Sequence, residues 1–174
     1  MILPPALRKL LLSAHLTVSV GWIGAVLAYL ALDVAVATSG EESTLRAAYA
    51  SMELVASNVI LPLSLAALAT GVLLALGTRW GLFRHYWVVV SLLLTVAAVA
   101  VLWVELGTIR ALAATAADPA TTFDELRALP GTLPHSAGGL AILLLVQLLN
   151  VYKPAGLTRY GWRKQREETG AARA

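Results

Sequence analysis

Residues 86–112 read YWVVVSLLLTVAAVAVLWVELGTIRAL. No charged residue interrupts this run from Tyr86 to Val104. A run of 18 or more apolar residues reads as a membrane-crossing helix, because about 20 residues span the roughly 30 Å hydrocarbon core of a bilayer. Inside lipid every backbone amide and carbonyl must be satisfied within the segment, and a helix does this alone. Outward from this stretch, three more runs meet the same test, at about 10–37, 50–77 and 133–152. The expected fold is therefore all-α, a four-helix transmembrane bundle.

Composition agrees. Of 174 residues, 59% are hydrophobic and only 13% charged, against roughly 45–50% apolar and about 25% charged in a soluble domain. Mean hydropathy is +0.76. Too little polar surface remains to cover a water-soluble fold of this length. One domain is expected, a four-span membrane domain over 1–160 followed by a polar, frayed cytoplasmic tail over 161–174. The first run follows Arg8 and Lys9 and ends near Ala35-Val36-Ala37, in the manner of a signal peptide. Its apolar stretch far exceeds the 7–15 residues of a signal h-region, so it reads as a span.

Orientation follows from basic residues, which concentrate on the cytoplasmic side. Four spans put Arg8, Lys9, Arg79, Arg84, Lys153, Arg159, Arg163, Lys164, Arg166 and Arg173 on one side and Arg46, Arg110 and Arg127 on the other. This predicts both termini in the cytoplasm and argues against dual topology. Trp80, Tyr86, Trp87, Tyr152, Tyr160 and Trp162 then form an interfacial aromatic belt on the inner side, with His85 among them as a solvated residue.

The loops fit this plan. Gly77-Thr78-Arg79-Trp80-Gly81 is a tight turn that makes spans two and three antiparallel neighbours. Thr122-Phe123-Asp124-Glu125 has the form of a capping box, which predicts a short helix on the outer surface. Gly21, Gly24, Ala25, Ala28, Ala67, Gly71, Gly138 and Gly139 are small residues that let helix backbones approach, within the bundle or in a homo-oligomer. Pro62 is expected to kink span two by freeing the carbonyl of Asn58. Leu140 is expected to face lipid.

Ionisable residues at membrane depth are costly and mark candidate sites. His15 lies near the inner end of span one. Asp33 follows it by 18 residues, five turns later and on the same face. Glu53 opens span two on the outer side, Glu105 sits below the outer end of span three, and His135 begins span four. Asp33, Glu53, Glu105 and His135 thus share the outer leaflet, one from each helix. Three carboxylates and an imidazole could hold a divalent metal or relay protons, while separate end residues reaching headgroup water are the plainer reading.

Other chemistries are excluded or unsupported. With no cysteine, disulfides, thiolate metal sites and covalently attached c-type haem are ruled out. The net charge of +3 comes from residues flanking apolar runs, so it signals topology and a lipid partner, not nucleic acid. No serine pairs with a readable His and acid, and no glycine-rich phosphate loop lies between a strand and a helix.

His15-Leu16-Thr17-Val18-Ser19-Val20-Gly21-Trp22-Ile23-Gly24 in span one, with Trp80-Gly81-Leu82-Phe83-Arg84-His85-Tyr86-Trp87 before span three, resembles a family of small four-span bacterial integral membrane proteins of unassigned activity. More distantly the pattern is similar to CopD-like copper-resistance proteins and membrane haem-containing protoporphyrinogen oxidases. In the haem-containing group the His of span one is an axial ligand, and a Lys four residues after a Trp in span three is the other. The resemblance implies a haem b site at His15 and at Ser91, which stands four residues after Trp87. A serine hydroxyl is a poor haem ligand, so the chain departs from the pattern there. Three functional expectations result: a non-enzymatic multi-pass membrane protein, a haem- or metal-binding redox protein, and a small transport subunit acting as an oligomer.

Overall fold

The computed structural model describes residues 3–171. It is all-helical, with four helices long and apolar enough to cross a membrane: α1 Pro5–Thr38, α2 Glu42–Gly77, α3 Tyr86–Ala117 and α5 Leu133–Tyr152. A short helix α4, Phe123–Ala128, lies between α3 and α5, and α6, Arg159–Ala171, follows α5. Helix α1 packs on α2 and α5, and α3 packs on the same two, so the four long helices run up and down around a square. We call the end where α1 begins the base and the opposite end the head.

The core lies along the axis of this square and thickens toward the head. Trp22, Tyr29, Leu45, Tyr49, Met52, Leu106, Ile109 and Leu126 are buried there. Much apolar side-chain surface is left outside. Val20, Leu27, Leu73, Leu93, Trp103, Val104, Leu148 and Val151 are all exposed, the reverse of a soluble bundle.

Helix α2 begins eight residues before the expected start at 50. Its first turns carry charge, but Leu45, Ala48, Tyr49 and Met52 recur at helical spacing and are buried. Arg46, taken from sequence for a loop residue, lies in this stretch. Its guanidinium donates to the carbonyls of Ala116 at 2.6 Å, Asp118 at 2.9 Å and Thr121 at 2.7 Å, and pairs with Glu42 at 2.8 Å. It thereby ties the last turn of α3 to the loop that follows, through carbonyls at the helix end and beyond it. Ahead of Pro62 the helix widens into a π turn over Ala56–Ile60, which accommodates the amide that proline lacks.

The capping box forms as expected. Thr122 N–H and Oγ1 donate to Glu125 Oε2 at 2.7 and 2.8 Å, and Glu125 N–H returns a longer bond to Thr122 Oγ1 at 3.4 Å. Helix α4 does not merely rest on the surface: Leu126 is 1% exposed and plugs the head of the core.

The region after Gly161 differs from the expected frayed tail, since helix α6 runs to Ala171. Thr158 starts it by accepting from Gly161 N–H at 3.0 Å while its hydroxyl donates to Phe83 O at 2.6 Å. Arg84 closes the far side with Glu168 at 2.8 Å. At Gly161 a side chain would collide with the carbonyl of Arg84, so glycine permits this docking. Of the expected aromatic belt, Tyr86, Tyr152, Tyr160 and Trp162 are exposed, but Trp87 is buried. His85 is tied to Trp80 O through Nδ1 at 2.8 Å.

Candidate functional site

Helix α5 opens with Leu133-Pro134, proline being tolerated in a first turn. One turn on come Gly138 and Gly139. Sequence suggested that these two bring backbones together, but a side-chain carbon placed at either would meet nothing within 4 Å. They leave a gap between α5 and α3, where the small Ala98 lies opposite. The gap is a cavity of about 270 Å³ floored by Trp22, Val26 and Tyr29 of α1 and Ile60 of α2. Val101, Pro134, His135 and Gly138, all exposed, form its rim. Its exposed rim residues come from α3 and α5, which places the opening between these two helices. Leu140 stands beside it, partly buried against the core and not on the outer face expected for it.

The walls are apolar except toward the head, where Tyr29, Glu105, Thr132, His135 and Ser136 gather. Glu105 Oε1 and His135 Nε2 are 3.7 Å apart, with the glutamate side chain 22% and the histidine 55% exposed. That separation exceeds a good hydrogen bond, so the pair is loose and the histidine sits at the mouth. Ser136 Oγ donates to Leu133 O at 3.1 Å.

Behind the cavity wall lies Asp33, 2% exposed. Thr132 Oγ1 donates to its Oδ1 at 2.6 Å, and Tyr29 OH lies 3.1 Å from the same threonine oxygen. The single hydroxyl proton of Thr132 is committed to Asp33, so Tyr29 must donate to Thr132. With Asp33 as the carboxylate, the order runs Tyr29 to Thr132 to Asp33. Asp33 Oδ2 and the nearby Tyr49 hydroxyl are buried without a partner. Thr132 precedes α5 at the N-cap position, yet its side chain does not cap the helix.

Of the four residues expected to share a site, the structure pairs Glu105 with His135 and sets Asp33 behind them through Tyr29 and Thr132. Glu53 stays on its own helix, accepting from Ser57 Oγ at 3.1 Å. Among the described residues, no three His, Cys, Asp or Glu side chains are grouped so as to hold a metal ion.

His15 and Ser91 meet different surroundings. His15 Nδ1 is 2.9 Å from Thr70 Oγ1, and the ring lies over Gly71 in the α1–α2 seam. Ser91 is buried on α3 with its hydroxyl unpartnered. Neither lines the cavity; the contacts of His15 are with α2, while Ser91 belongs to α3. One imidazole and a serine hydroxyl, a poor haem ligand, do not make a fitting axial pair.

Sequence reading singled out neither Thr132 nor Tyr29 as a site residue. The available signal was a threonine immediately before an apolar helix, which reads as a cap and conceals its longer-range role. Comparison with protein-family models, with curated proteins and with solved structures found no match.

Proposed function

We propose that the protein is a multi-pass integral membrane protein that binds a small amphiphilic molecule taken sideways from the bilayer. The single observation that carries this reading is the lateral cavity, apolar along its length and polar at one end. Pockets of small-molecule sites are mostly apolar with a few convergent polar groups. One that opens through exposed Val101 and Gly138 is reached from lipid by a chain-bearing molecule. The loose Glu105–His135 pair then meets its head. This is binding, not chemical conversion, since no nucleophile is paired with a base at the site. The basic residues argue for a cytoplasmic base in a bacterial cytoplasmic membrane, which would put the cavity in the outer leaflet. Reporter fusions after Leu82 and Phe123 test that orientation and should read cytoplasmic and external respectively.

The binding test uses decan-1-ol with protein in nanodiscs of zwitterionic lipid. Decanol should raise the melting temperature of the wild-type protein, because a ligand bound only by the folded state stabilises it. Gly139→Leu, which fills the gap, should fold normally and lose the shift. An equal shift in both proteins, or none in either, overturns the reading.

A further inference from the structure

The polar end of the cavity constrains the chemistry of its occupant. Tyr29 has committed its proton to Thr132, and Thr132 its own to Asp33. Ser136 has given its proton to Leu133 O. These three hydroxyls therefore present lone pairs and no free donor. Glu105 presents a carboxylate that has only the loose His135 contact at 3.7 Å. Asp33, buried behind, adds a second acidic group with an unpartnered oxygen. Two carboxylates and three spent hydroxyls stand against one imidazole, which is half outside at the mouth.

Building on the lateral-binding reading above, we propose that the cavity is selective for amphiphiles with a cationic, hydrogen-bond-donating ammonium head, with Glu105 as the counter-ion. An ammonium has three donors and no acceptor, which matches a lining of acceptors. A neutral hydroxyl head supplies only one donor. An anionic head would meet lone pairs and the Glu105 carboxylate. His135 is the group the ligand displaces: its ring reaches Glu105 from the mouth, on the path by which the head must enter. The chain of the ligand lies along Trp22, Val26, Val101 and Leu143.

The test compares three probes of one chain length, decylamine, decan-1-ol and decyl sulfate, in the same nanodiscs at neutral pH, where an alkylamine is protonated like lysine. Wild-type protein should bind the ammonium about tenfold or more tightly than the alcohol, and the sulfate weakest. Glu105→Gln should bring the ammonium-to-alcohol ratio toward one. His135→Ala should raise it, because the competing imidazole is gone, and this variant keeps the proposal testable should Glu105→Gln fail to fold. Gly139→Leu controls for partition of charged chains into the lipid. Alcohol and ammonium bound equally by the wild type would overturn the selectivity and leave lateral binding standing. A drop in the ratio on His135→Ala would equally overturn it, making the histidine a ligand contact and not a competitor. No probe shifted by the Gly139→Leu comparison would remove the lateral-binding reading itself.

Discussion

Replacing Arg46 by methionine keeps the length and apolar stem of the side chain and removes its fork of donors. The three carbonyls it serves, of Ala116, Asp118 and Thr121, lose a charged donor at once. A hydrogen bond to a charged group contributes about 1.5–3 kcal/mol. The bonds are not additive, and the Arg46 side chain is 26% exposed, so water recovers part of what is lost. The neighbouring Glu42 pair adds only about 0.3–0.5 kcal/mol, as exposed helix pairs do. The expected cost is about 2–4 kcal/mol, which for a domain of this size lowers the melting temperature by about 5–12 °C. Thermal unfolding in detergent reads it directly, with Arg110→Met as control, since Arg110 is exposed on α3, the helix whose end Arg46 serves. Arg46→Lys keeps the charge but offers a point donor in place of a planar fork, and should recover only part of the loss. A melting temperature for Arg46→Met within about 2 °C of the control would refute the reasoning, because even one lost charged bond exceeds that shift.

Two further outcomes follow from local geometry. At Gly71 an added methyl lies 3.2 Å from His15 Cε1, while the ring is held by Thr70. Gly71→Ala should therefore destabilise by about 0.5–2 kcal/mol, crowding outweighing helix propensity, whereas Gly139→Ala, which meets open space, should stabilise by about 0.5–1 kcal/mol; melting curves of the same sign would contradict the packing described. At Glu125, the Thr122 N–H and hydroxyl hold the carboxyl below its usual range. A depressed value in the folded state means that the capping box stabilises α4 at neutral pH and is lost as pH falls through that lowered value. The Thr122 amide resonance should titrate at a midpoint below that of a free glutamate, and Glu125→Gln should abolish the transition.

What could be read from residues alone depended on the range of the forces involved. Residues 133–152 were legible to the residue at both ends, because apolar length and a proline in the first turn are local signals. So was the Thr122–Glu125 capping box. Helix α2 was cut short because a hydropathy reading stops before Arg46 and Glu42. The buried stripe through Leu45, Ala48, Tyr49 and Met52 was there to be seen at helical period. Helix α6 looked unable to hold itself, and its anchors are distant in sequence: Arg84 for Glu168, and the Arg84 carbonyl against Gly161. The site was half legible. Glu105 and His135 were chosen for depth and do meet. The cavity was not legible, because Gly138 and Gly139 read equally well as close packing and as missing volume. Only the position of α3 decides between the two.

The π turn at Ala56–Ile60 sets the phase of everything after it on α2. In a regular α-helix each residue turns about 100°, so a row spaced strictly by four drifts about 40° at each step. Met52, Ala56, Ile60 and Ser64 are spaced by four and yet all buried. The wider turn takes up the drift, holding that row against its neighbours. Helix α2 is thus two wheels on one axle, offset at Ala56–Ile60. A wheel drawn through all of Glu42–Gly77 at one pitch would misjudge the side on which Thr70 and Gly71 emerge relative to Arg46 and Tyr49. Deleting one residue within the π turn would leave eleven residues, about three α-helical turns, from Met52 to Ser64, so a uniform pitch would keep the Arg46 end and the His15 seam in their present phase.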